Sequence, residues 1–151
     1  MTRTAPFVLA LVLSFVVQSA SAQDAPGEPM RIRYIVKDVP ASVAFYTGQL
    51  GFRVLGQAGG SFAVLARGGL QLLLSPTVGP GGASRPMPDG RKPEPGGWTR
   101  MVIYTSNLQG DVERLRKAGV HFRNDIVIGL GGNEILLDDP SGNPVELFQP
   151  G

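Results

Sequence analysis

Asp139-Pro140-Ser141-Gly142-Asn143-Pro144-Val145-Glu146-Leu147 reads as a tight turn that delivers the chain into a short apolar strand. Asp139 ahead of Pro140 favours an extended approach, Ser141-Gly142-Asn143 tolerates tight or left-handed backbone, and Pro144 opens the next strand where no ladder donor is needed. The stretch therefore joins two antiparallel strands. Side chains alternate along the second, so Glu146 and Phe148 share one face while Val145 and Leu147 share the other. Val145 and Leu147 suit a core covered by a helix, which leaves Glu146 facing something wetter.

Upstream of this turn one succession of elements occurs twice. Arg31 to Val36 alternates as a strand does, Asp38 is a helix cap, and Ala41 to Tyr46 continues into a short helix that ends before Gly51. Phe52 to Leu55, Ser61 to Ala66 and Leu70 to Ser75 are three further strands with Gly-rich turns between them. From Pro76 to Trp98, six prolines and six glycines exclude a regular element, so this is a long loop. Arg100 to Thr105 is then a strand, and Ser106 or Asn107 caps a helix over Leu108 to Ala118. That helix carries Val112 and Leu115 on its buried face and stops at Gly119. Strands follow near Val120 to Phe122, Ile126 to Ile128 and Glu134 to Asp138, before the final one around Val145 to Gln149.

The two halves overlay. Strand start to helix stop takes 20 positions from Arg31 to Gly51 and 19 from Arg100 to Gly119. Leu70-Gln71-Leu72 after Gly68-Gly69 corresponds to Val145-Glu146-Leu147 after Gly142-Asn143. The pattern predicts an α+β fold of duplicated βαβββ units, forming a curved mixed sheet around a cleft. It pairs Arg31 with Arg100 and Gln71 with Glu146. Residues 31–75 form the first unit, 76–98 the loop and 99–151 the second unit, all within a single domain, 31–151.

The chain has 151 residues, 42% hydrophobic and 17% charged, an ordinary globular composition. Residues 1–22 read as a secretory signal peptide: Arg3, an apolar run from Ala5 to Val17, and Ala20-Ser21-Ala22 as the cleavage site. That run falls short of the roughly 20 apolar residues that span a bilayer. Residues 23–30 are a polar, flexible lead-in. Without Arg3 the chain carries 13 basic and 12 acidic side chains, a balance that argues against a nucleic-acid or membrane-surface role. The absence of cysteine excludes disulfides, thiolate chemistry and lipid attachment at the cleavage site. The expected location is the periplasm or the medium.

Val36-Lys37-Asp38, Ser42, Phe45-Tyr46-Thr47 and Leu50-Gly51-Phe52, with Leu137 to Leu147 at the far end, resemble the vicinal oxygen chelate (VOC) superfamily. That group includes glyoxalases, bleomycin- and fosfomycin-resistance proteins and extradiol dioxygenases. The resemblance implies the glyoxalase/bleomycin resistance-like fold and a divalent-metal site built from one residue on each of four strands, usually two His and two Glu. Carried over by position, those residues are Arg31, Gln71, Arg100 and Glu146. Only Glu146 keeps the expected chemistry. A guanidinium offers no usable lone pair, so neither a metal nor any other cofactor is expected. The single histidine, His121, falls after the second helix, away from these strands.

Strand parity adds Arg33 beside Arg31, and Val102 and Tyr104 beside Arg100. Arg31, Arg33, Arg100, Tyr104 and Glu146, with Gln71 as a hydrogen-bonding spacer, form a candidate binding cleft for an anionic small molecule. In the alternative, Glu146 neutralises one arginine in a partly buried ion pair and the cleft is filled. The 76–98 loop is either a lid bringing Arg85, Arg91, Lys92 and Trp98 to a ligand, or a solvated connector. Two function classes stand side by side: a metal-independent small-molecule binding protein, and a glyoxalase-like lyase or isomerase, or dioxygenase-like enzyme, with an altered metal site. In the second class Glu146 is the only candidate catalytic group. A structural or regulatory module is a third reading. Two βαβββ units close a cleft either within one chain or across a homodimer.

Overall fold

Two four-stranded mixed sheets, each backed by one helix, make up residues 29–151, the part of the chain that the computed structural model describes. The expected signal peptide, and the lead-in as far as Glu28, lie outside the described residues. In the first half β1 (Met30–Val36) leads to α1 (Val39–Leu50), then β2 (Arg53–Gln57), β3 (Ala63–Arg67) and β4 (Leu70–Pro76). The second half repeats the order with β5 (Met101–Tyr104), α2 (Leu108–Lys117), β6 (Val127–Gly129), β7 (Gly132–Asp138) and β8 (Pro144–Pro150). The sheets run β1-β4-β3-β2 and β5-β8-β7-β6, with the first pair of each parallel and the others antiparallel. The duplication is therefore complete at the level of topology.

Local chemistry sets the element ends. Asp38 accepts the Ala41 N–H at 2.7 Å and Asn107 accepts that of Gly110 at 3.1 Å, so each helix starts on a side-chain cap, and α1 has Pro40 in its first turn. Gly51 and Gly119 adopt left-handed φ of 69° and 77° at the two helix stops. The Phe52 N–H also closes on the Tyr46 carbonyl, so β2 begins at Arg53 and not at Phe52 as the pattern suggested. Ser61 bonds back to Ala58 in a turn, which delays β3 to Ala63. The strand expected at Val120 to Phe122 is absent, for a similar reason. The Val120 N–H is taken by Leu115 at the end of α2, and Phe122 makes only an isolated bridge to Leu137. The long loop contains one short 3-10 turn, Gly82–Ser84.

Alternation places Tyr34, Val36, Leu65, Leu72 and Leu74 under α1, and Met101, Ile103, Ile135, Leu137, Val145 and Leu147 towards α2. These merge with Tyr46, Leu50, Val112 and Leu115 into one core that spans both halves. The opposite faces carry Arg31, Arg33, Gln71 and Leu73 in the first sheet, and Val102, Tyr104, Glu146 and Phe148 in the second.

The 139–144 turn fastens the halves together. Asp139 is only 4% exposed, yet its carboxylate accepts four donors: the Tyr46 hydroxyl at 3.0 Å, the Ser141 and Asn143 N–H groups at 2.8 and 2.9 Å, and the Asn143 amide at 3.0 Å. The same Asn143 amide reaches the Ile35 carbonyl, and the Ser141 hydroxyl accepts the Lys37 N–H, so the turn grips the end of β1. Tyr34 completes the seam by donating to the Pro144 carbonyl and accepting from the Met101 N–H, both at 3.0 Å. Burial, reinforced by the Asp139 charge, pushes the Tyr46 phenol far above its ordinary range, so it remains a donor. Burial raises Tyr34 in the same direction.

Tyr46→Phe leaves a buried carboxylate one donor short and is expected to cost about 1–3 kcal/mol of stability, read as a lowered urea midpoint. An unchanged midpoint would show that Asp139 does not depend on this contact.

Candidate functional site

The sheet face turned away from α1 is cationic along β1. Direct ladder partners share a face, so one row runs Arg31, Gln71, Ala66, Arg53, and the next runs Arg33, Leu73, Val64, Gly56. Arg31 donates from Nε to Gln71 Oε1 at 3.0 Å. Arg33 donates to the Ser75 hydroxyl at 2.5 Å and lies 5.8 Å above the Phe62 ring. A β-bulge between Val54 and Gly56 interrupts β2, and Leu55 joins Phe62, Val64 and Leu73 around a cavity of about 330 Å³ with Arg31 and Gln71 at its polar side. All of its walls come from the first half of the chain.

The equivalent face of the second sheet is built differently. Glu146 is only 6% exposed, and Arg100 donates from Nε to its Oε2 at 2.6 Å, forming a partly buried ion pair. The ladder puts Val102, not Arg100, opposite Glu146, whereas Arg31 stands directly opposite Gln71. Helix-cap alignment thus matched Arg31 to Arg100, while strand register matches Arg31 to Val102; the long Arg100 side chain spans the difference diagonally. Tyr104 packs edge-on against Phe148 at 5.6 Å and remains 66% exposed, with Val102 at 45%.

Arg33 and Arg100 face a common cavity at the seam. Both line a cavity of about 220 Å³, together with Ile35, Asn143 and, from the loop and the segment after it, Glu94 and Thr99. The structure therefore sets Arg33 and Arg100 around one cavity and bonds Arg100 to Glu146, while Arg31 and Gln71 line the neighbouring cavity. The loop end is fastened there: Gly96 donates to Asn143 Oδ1 at 2.7 Å, and Arg123 bonds Asp138, Gly97 and Gly142 while lying 6.0 Å over the Trp98 ring. Arg85, Arg91, Lys92 and Trp98 are exposed, and Arg91 pairs with Asp89. His121 is exposed and bonds Asp138 through Nδ1 at 2.9 Å.

These groups do not make a metal donor set. Arginine nitrogens lack an available lone pair, the Glu146 carboxylate is engaged by Arg100, and among the described residues no three His, Cys, Asp or Glu side chains come together. What the arrangement offers is guanidinium groups beside apolar surface. Sequence reasoning missed Leu55, Phe62 and Val64, because only the bulge and the ladder register reveal which face they occupy.

The profile of the Glyoxalase/Bleomycin resistance protein/Dioxygenase superfamily matches residues 30–147. No curated protein matches the chain. Among solved structures it resembles lactoylglutathione lyase from Agrobacterium tumefaciens, with TM-score 0.64 and 21% identity over 83% of this chain and 96% of that one. It also resembles TnmS3, an antibiotic binding protein from Streptomyces sp. CB03234, at TM-score 0.65 and 24% identity over 85% of this chain and 100% of that one. A glyoxalase/bleomycin resistance protein/dioxygenase from Nocardioides gives TM-score 0.63 and 23% identity, covering 85% and 87%. At these identities the likeness carries the fold, and site chemistry rests on this chain's own residues.

Arg100→Met strands the Glu146 carboxylate and is expected to cost about 1–3 kcal/mol, a value reduced from fully buried pairs because Arg100 stays partly exposed. Adding Glu146→Leu should restore most of that loss in urea unfolding. A double variant no more stable than Arg100→Met would refute the pairing as the cause.

Proposed function

The chain belongs to the glyoxalase/bleomycin resistance protein/dioxygenase superfamily, and from that premise we propose that it is an exported, metal-independent binding protein for a small molecule. The ligand lies in the cleft marked by Arg31, Arg100 and Glu146, with Arg33, Gln71 and Tyr104 at its walls. The observation that carries this reading is the 2.6 Å Arg100–Glu146 ion pair. At a position where the family resemblance implies a metal ligand, the carboxylate is already neutralised by a guanidinium. Beside it, cavities of about 330 and 220 Å³ supply apolar walls and cationic edges, which suit capture of a small, partly anionic molecule better than activation of a metal-bound oxygen.

Export to the periplasm or the medium follows from the signal-peptide pattern of residues 1–22. A homodimer fits the open face of the second sheet, where Val102 and Tyr104 stand exposed next to the ion pair. A second copy laid across that face would wall the cleft on its open side and bury those side chains.

The test combines elemental analysis with titration of 1-anilinonaphthalene-8-sulfonate, an apolar anion, in the presence of a chelator. Binding is expected to survive the chelator and to weaken about tenfold in Arg31→Ala and Arg100→Ala, the loss of one charge-assisted contact. Stoichiometric zinc, nickel, manganese or iron in the purified protein, or equal binding in wild type and both variants, would overturn the reading. Sedimentation equilibrium reads the dimer directly.

A further inference from the structure

Charge is divided unevenly along the chain. Residues 30–88 carry six basic side chains against one acidic, Asp38, whereas residues 89–151 carry seven basic against nine acidic. No strand of the first sheet contains Asp or Glu. Among the described residues Arg31 and Arg33 pair with no carboxylate; their partners are the neutral Gln71 and Ser75. The Arg100 charge on the second sheet, in contrast, is cancelled by Glu146. An anion therefore finds uncompensated guanidinium groups on the first sheet.

The same face changes character from strand to strand. Arg31 and Arg33 stand on the β1 edge, Gln71, Leu73 and Ser75 on β4 beside it, then Val64 with Phe62 at β3, and Leu55 on the bulged β2. Arg53 sits at the far end of the Arg31 row and adds a third positive charge without adding an acid. Three strand spacings of about 4.8 Å separate the two edges, so the face is roughly 14 Å across, and its apolar part begins on β4 directly beside the cationic strand.

The geometry points to a small apolar monocarboxylic acid as the ligand of this cavity: its carboxylate sits on Arg31 beside Gln71, and its hydrocarbon body crosses β4 and β3 onto Leu73, Val64, Phe62 and Leu55. This rests on the cleft-binding reading above and narrows it to one sheet and one ligand class. The Arg31 guanidinium at the polar side of the cavity, bonded only to the neutral Gln71, can donate charge-assisted hydrogen bonds to that carboxylate, while Arg33 turns away towards Ser75. The apolar floor gives the affinity, and Arg31 imposes the requirement for acid.

Calorimetric titration of the full chain with decanoate and with decanamide at pH 7 separates the two contributions. Decanoate is expected to bind about tenfold more tightly than decanamide, with the preference lost in Arg31→Gln. Leu73→Asp, with folding checked by circular dichroism, should weaken both compounds. Equal affinity for acid and amide in the wild type, or a preference that persists in Arg31→Gln, overturns the assignment. Retained decanamide binding with no acid preference leaves the broader cleft reading standing while sinking this one; binding of neither compound counts against both.

Discussion

A single buried carboxylate holds the architecture together. Asp139 is buried and forms no ion pair among the described residues, and four hydrogen bonds converging on its carboxylate offset the cost of that burial. Two of those donors come from the backbone of its own turn, so the local conformation and the charge are satisfied together. A third, the Tyr46 hydroxyl, comes from α1 in the other half of the chain. The turn between β7 and β8 is therefore also the joint between the halves, and a residue set needed for a tight reversal doubles as a docking surface. Asn143 makes the point most plainly. Its backbone and amide serve the turn, the amide also holds β1, and its carbonyl oxygen anchors the loop at Gly96.

This joint decides which cleft residues can meet. By tying the end of β1 to the turn before β8, it sets Arg33 and Arg100 around one cavity and leaves Arg31 with Gln71 around a separate one. The second sheet neutralises itself through Arg100 and Glu146, whereas the first keeps its guanidinium groups bonded only to neutral partners. Two copies of one unit thus present unlike surfaces: one electrically balanced, the other cationic and apolar.

Much of the fold was legible in the sequence because its signals are local. Asp38 and Asn107 announce helix starts, Gly51 and Gly119 their ends, and Pro140 to Pro144 a reversal between strands; each acts within a few residues. The site was half legible. Strand parity placed Arg31, Arg33 and Glu146 on the outward faces, and the Arg100–Glu146 ion pair was among the readings the residues allowed. Strand register was not legible, since spacing counted from helix caps matched Arg31 to Arg100 while the ladder sets Val102 opposite Glu146. Nor could spacing reveal Leu55, which depends on a bulge, or Val120, whose N–H the helix end claims before any strand can form. Asp139 and Tyr46 are 93 residues apart, and no local pattern links them.

The uneven division of charge between the halves gives the molecule an electric dipole. Its positive pole coincides with the sheet that holds Arg31, Arg33 and Arg53, so negatively charged solutes feel a pull directed towards that sheet before any contact forms. That pull reaches only as far as the surrounding ions allow, about 10 Å at 0.1 M salt, so dilution of the salt would lengthen its range.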